Sequence, residues 1–187
     1  MYGQTIITSL LPLLSLSLAL PLEPRDTTTD FTLTSLGATF PYSGVYGDES
    51  VNSHVNVGLS YPDPSSTSGA TLNTTCSVSW PAGTNPGPTA WTPCADGKVQ
   101  FRLPTNGWTS TTNFRVEFWE QLNSDGSGLE ATHYIQMDPS NPSNPAAVMF
   151  CLQMGKFNPL TCSLTGPYGQ TPRTVSMAAT EESAIPS

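Results

Sequence analysis

Val51-Asn52-Ser53-His54-Val55-Asn56-Val57-Gly58-Leu59 decides the fold. Val51, Ser53, Val55, Val57 and Leu59 share one face of an extended chain, and Asn52, His54 and Asn56 share the other. That period of two is the mark of a half-buried strand. The pattern recurs at Ala70, Leu72, Thr74, Cys76 and Val78, and again at Val99, Phe101 and Leu103. Phe114, Val116 and Phe118 alternate with Arg115, Glu117 and Trp119. Turn residues punctuate these runs: Tyr61-Pro62-Asp63-Pro64 closes one, and Asn123-Ser124-Asp125-Gly126-Ser127-Gly128 separates two others. No long stretch between the 18 prolines and 15 glycines keeps a helical period. The pattern predicts an all-β fold, a single antiparallel β-barrel or barrel-like sandwich.

Pro145 to Gly155 is open to two readings. Pro at a helix start and Gly at its end fit a helix. The unbroken Val148-Met149-Phe150-Cys151-Leu152 run fits a strand buried on both faces, and the β character of its surroundings favours that reading. Before it, Ser140-Asn141-Pro142-Ser143-Asn144-Pro145 duplicates a Ser-Asn-Pro triplet and reads as an exposed loop, since each Pro biases the Asn before it away from helix.

Ile6 to Leu20 is apolar with interspersed serines, the length of a signal-peptide core and short for a membrane span. Ser17-Leu18-Ala19 supplies small residues for cleavage, so residues 1–19 read as a leader and the rest as secreted, outside the cell. Residues 20–30 form a short N-terminal segment with Arg25 as a candidate second cut, residues 31–179 the β domain, and residues 180–187 a flexible tail. The remaining roughly 165 residues suit one core. Charged residues make up 11% of the chain, below the usual ~25%. A net charge of −8 with six Lys and Arg argues against nucleic acid or an anionic membrane as partner.

Four cysteines permit three pairings. The sequential one, Cys76 with Cys94 and Cys151 with Cys162, is favoured because each pair encloses a short loop rich in turn residues. Neither spacing resembles a Cys-x-x-Cys zinc knuckle. Asn73-Thr74-Thr75 is the usable glycosylation sequon, with Asn73 pointing outward, either glycosylated or bare. Asn141-Pro142-Ser143 is blocked by its proline.

Catalytic residues do not stand out. His54 and His133 read as surface or hydrogen-bonded imidazoles, and no nucleophile or phosphate motif accompanies them. Glu117 and Glu120 are three apart in a strand, hence on opposite faces, and do not flank one glycosidic bond. Asp125, Ser127 and Glu130 read as a hairpin turn in preference to a calcium loop. No catalytic, metal or cofactor residue is assigned. Trp80, Trp91, Trp108 and Trp119 are either core aromatics at the barrel ends or stacking platforms, and Trp119, opposite Phe118, is the candidate for exposure and binding.

The order of short motifs resembles the Alternaria alternata allergen 1 family of small secreted fungal proteins. It runs from Pro21-Leu22-Glu23-Pro24-Arg25 through Gly69-Ala70-Thr71-Leu72-Asn73-Thr74-Thr75-Cys76 and Trp91-Thr92-Pro93-Cys94 to Cys151 and Cys162. The resemblance spans residues 31–179. It implies a compact antiparallel β-barrel with two sequential disulfides, and a role as an allergen, elicitor or effector-like protein without catalytic residues. Host extracellular proteins or small phenolic, apolar ligands are the partners it implies, the latter at a dimer interface. The cysteine that links family dimers is absent: the corresponding region reads Asp26-Thr27-Thr28-Thr29-Asp30, so the chain is expected to be a monomer or a non-covalent dimer. The leading expectation is a non-enzymatic binding protein; an extracellular carbohydrate- or cell-wall-binding module is the alternative.

Overall fold

The structure is a computed structural model that describes residues 30–41, 52–84 and 87–187. The leader expected at 1–19, residues 20–29 with Arg25, Val51 and Asn85-Pro86 lie outside the described residues. The strands are β1 Phe31–Phe40, β2 Ser53–Pro62, β3 Thr71–Trp80, β4 Thr92–Pro93, β5 Val99–Arg102 and β6 Trp108–Ser110. They continue with β7 Asn113–Gln121, β8 Gly128–Gln136, β9 Phe150–Gln153, β10 Leu160–Ser163, β11 Val175–Met177 and β12 Ala179–Glu182. One sheet runs β3-β2-β1-β10-β9, with β11 also on β1; the other runs β12-β8-β7-β5-β4, with β6 on β7. The strand pairs are antiparallel.

The alternation read from the sequence sets which side chains face inward. Val55, Val57 and Leu59 of β2 are buried while Asn56 is exposed, and Thr74, Cys76 and Val78 of β3 are buried while Asn73, Thr75 and Ser77 face out. Phe101 and Phe118 stack at 5.2 Å in the middle of the layer between the sheets. Phe40, Trp80, Trp108 and Phe114 pack edge and face at one end, with Phe31 and Tyr61 at the other.

The architecture is a two-sheet sandwich, not a closed barrel. The sheets come closest to closing where β3 meets β4. There the Cys76–Cys94 disulfide joins them, Ala95 N–H donates to the Thr75 carbonyl (2.8 Å) and Asp96 N–H to Thr74 Oγ1 (3.3 Å). β4 is two residues long, Thr92–Pro93, and its proline has no amide to extend a ladder, so closure stops at this staple. The second disulfide, Cys151–Cys162, bridges directly opposed residues of β9 and β10. The sequential pairing is therefore the one present.

Three expectations need correction. Residues 180–187 do not all lie beyond the domain: β12 pairs with β8 through Glu182, and the Pro186 and Ser187 carbonyls accept hydrogen bonds from Trp91 and Arg102. Pro145 to Gly155 contains a strand, Phe150–Gln153, but not one buried on both faces. Leu152 is 48% exposed because β9 is the edge of its sheet. Finally, the outer face of β7 is not open to water: Glu117 and Trp119 are buried there.

Candidate binding surfaces

The β9–β10 hairpin carries a concentrated apolar surface. Leu152, Met154 (72% exposed) and Phe157 (53% exposed) stand in water within six residues. Gly155 takes a positive φ of 103° to open the turn, a conformation that favours glycine. Asn158 N–H then donates to the Gly155 carbonyl (3.3 Å), and the Asn158 side-chain amide donates to the Met154 carbonyl. Gln153 Nε2 donates to the Asn158 carbonyl (3.1 Å), and Thr161 Oγ1 donates to that of Leu152 (3.1 Å). Lys156 Nζ sits 5.7 Å from the Phe157 ring centre. With the disulfide at its base, the tip presents its apolar side chains in a fixed frame.

The outer face of the second sheet is built differently. Period two puts Arg115, Glu117 and Trp119 in one column of β7, and Arg102 of β5 lies directly opposite Glu117. Glu117, 2% exposed, accepts from Arg102 Nε and Arg115 NH2, each at 2.5 Å. Arg115 NH2 also donates to Asn106 Oδ1 (2.7 Å), and the Arg102 guanidinium lies 4.3 Å from the Trp91 ring centre. Tyr134, opposite Arg115 on β8, is 42% exposed. Glu130, beside Trp119, is pushed above the ordinary carboxylate value by burial and by the charges of Glu117 and Glu182. The face offers two guanidinium groups held by one carboxylate, with flanking rings: a surface suited to carbonyl and carboxylate oxygens.

Glu120 points the other way, into the layer between the sheets with Phe114, Val116 and Phe118. Neither carboxyl oxygen has a hydrogen-bond partner, and burial raises the group to about 7, Lys98 opposing and Asp96 and Asp63 adding. Nearby, Tyr61 donates to Asp96 Oδ2 at 2.5 Å. Burial and then that bond hold the tyrosine above its ordinary value. For Asp96 burial pushes upward, but the bonds from Tyr61 and the Lys98 and Val99 amides outweigh it and the carboxyl sits low. An open depression of about 400 Å³ lined by Asn73, Thr74, Thr75, Ala95 and Asp96 adjoins this group.

The structure places the remaining candidates as follows. Asn73 is exposed on β3 at the edge of the first sheet. Trp119 is 1% exposed, so it is not the open indole expected of it. Trp80 and Trp108 belong to the aromatic end of the core, and Trp91 is half-buried under Arg102. His54 is half-buried on β2. His133 faces inward opposite Val116, held below its ordinary value by burial, with a hydrogen bond to the Pro145 backbone opposing. Asp125 accepts from Ser127 N–H (2.9 Å) in a hairpin turn. Among the described residues, no group of three or more His, Cys, Asp or Glu is placed to hold a metal ion.

Sequence reasoning missed the hairpin tip and Glu120. The parity of Phe114, Val116 and Phe118 extends to Glu120 and would have marked it as inward. The contact of Trp91 with Pro186, 95 residues away, has no local signal. Compared with known proteins, the chain matches no family model, no curated protein and no solved structure.

Proposed function

We propose that this chain is an exported, non-enzymatic binding protein of effector, elicitor or allergen type, and that it engages a host extracellular protein through the tip of the β9–β10 hairpin. The observation that carries this reading is the exposure of Leu152, Met154 and Phe157 together on a hairpin stapled by Cys151–Cys162. Large apolar side chains gain roughly 2 kcal/mol each when a partner removes them from water. A tip already held by its own hydrogen bonds loses little entropy on docking. Contiguous exposed apolar groups on a fixed frame are the usual mark of a protein-contact surface. Export is supported by the leader-like N-terminus and by two disulfides with no cysteine left over.

The test is capture of a partner from plant extracellular fluid on the immobilised chain, repeated with Met154→Asp. The expected result is a saturable protein partner whose retention falls at least tenfold in the variant, with the circular dichroism spectrum unchanged. Equal retention by the variant contradicts the reading. Retention on chitin, β-glucan or cellulose without a protein partner supports the carbohydrate-binding alternative instead. The rings to change would then be Trp91 and Tyr134, because Trp119 is covered.

A further inference from the structure

The segment after β12 takes a defined course. Glu182 pairs with Gly128 at the outer edge of the second sheet, while the Pro186 carbonyl accepts from Trp91 Nε1 (2.8 Å) and the Ser187 carbonyl from Arg102 NH2 (3.1 Å). Arg102 is on β5, three strands from β12 in the order β12-β8-β7-β5. Residues 183–187 therefore lead from the β12 edge toward β5, turning through bends at Ser183 and Ala184. Their path begins level with Gln121, the partner of Gly128, and ends level with Glu117, the partner of Arg102. Trp119 lies between those levels on the same outward face, outside the core between the sheets, yet it is 1% exposed. Its indole rests on Gly128, where any Cβ would strike the ring.

We infer that this face is a docking groove for an extended, proline-containing peptide, and that Ala184-Ile185-Pro186-Ser187 fills it from within the same chain. An indole N–H reads the proline carbonyl, and a guanidinium already fixed by Glu117 and Trp91 reads the next carbonyl. On this inference Trp119, buried on the same outward face of β7, is the floor. Proline preorganises the extended form, and a ring-lined groove with an indole donor is a recurrent way to bind it. A cleft of about 380 Å³ lined by Thr89, Arg102, Pro104, Thr105, Asn106 and Ser187 adjoins this segment. A tethered segment acts at a millimolar effective concentration, so an external peptide competes only where the internal one is weakened.

The experiment uses the full chain carrying Ile185→Asp and Pro186→Gly, both beyond the last strand. Its tryptophan emission should shift to the red and acrylamide quenching should rise at least twofold, and Trp119→Phe in the same background should abolish both changes. The synthetic peptide Ser-Ala-Ile-Pro-Ser should reverse the shift, bind the unaltered chain at least tenfold more weakly, and lose at least fivefold in affinity when Trp91→Phe removes the indole donor. In the otherwise unaltered chain Trp91→Phe is a second route to the same red shift. A folded double variant with unchanged emission, or one that exposes Trp119 but ignores the peptide, overturns the inference. A dimer of the unaltered chain that Pro186→Gly dissociates overturns it in favour of docking between two copies.

Discussion

Glu120 has the most to say at the scale of single residues. Its carboxyl is buried without a hydrogen-bond partner and rises from the ordinary 4.5 to about 7. Below pH 4.5 the group is protonated whether the chain is folded or not. Between 4.5 and 7 the unfolded chain ionises while the fold keeps the proton, so stability falls as pH rises, by something on the order of 3 kcal/mol once pH 7 is passed. Glu120→Gln should therefore match the native chain at pH 4 and exceed it at pH 8, and urea midpoints at the two pH values check this. His133 works in the opposite sense, its contribution being lost as pH falls below 6.5, but it is common to both proteins and drops out of the comparison. Two glycines give a second contrast. A Cβ on Gly128 meets the Glu120 carbonyl and the Trp119 ring, whereas one on Gly37 meets nothing within 4 Å. Gly128→Ala should cost about 2 kcal/mol and Gly37→Ala less than about 0.5 kcal/mol, measured by thermal unfolding. Parity along β7 made the direction of Glu120 readable. It could not say that the outward side chains of the same strand would be covered, because the guanidinium that meets Glu117 comes from Arg102, on another strand.

Among the elements, the two stapled segments have different duties. Cys76–Cys94 ties the β3 edge of one sheet to the chain after β4 of the other, 18 residues on, and Cys151–Cys162 closes an 11-residue hairpin within one sheet. Loop-closure entropy gives each about 3 kcal/mol. Replacing either pair by serine should lower the urea midpoint by a similar amount. Hydrogen exchange should separate the two: loss of Cys76–Cys94 accelerates exchange at Ala95 and Asp96, and loss of Cys151–Cys162 accelerates it at Asn158 and its neighbours. Both pairings were legible because each pair brackets turn residues. The strand at 150–153 was legible from its apolar run, but its open face was not, since edge position is a property of the assembled sheet and not of the run itself. The same holds for the C-terminal boundary: Ala179-Thr180-Glu181-Glu182 carries no apolar alternation and becomes a strand only by pairing with β8.

Across the whole molecule, the alternating strands and turn chemistry specified an all-β fold with an apolar layer inside, and left open whether the sheet closes. Closure fails at a place the sequence does show, the two-residue strand ending in Pro93, although its importance depends on which strands become neighbours. The consequence for function is a molecule that presents surfaces: an apolar tip at one sheet edge and a guanidinium-lined face on the other sheet. Legibility of the site was correspondingly lower than that of the fold, because Met154 falls in the segment open to helix or strand and neither it nor Phe157 shows its exposure in the sequence. The most direct measurement is site-specific photo-crosslinking in plant extracellular fluid, with the reactive group placed at Phe157 in one protein and at Ser77, exposed on β3, in another. The binding account expects one dominant protein adduct at position 157 and none at position 77. Adducts at 77 alone, or none at 157 while partner capture persists, would contradict it.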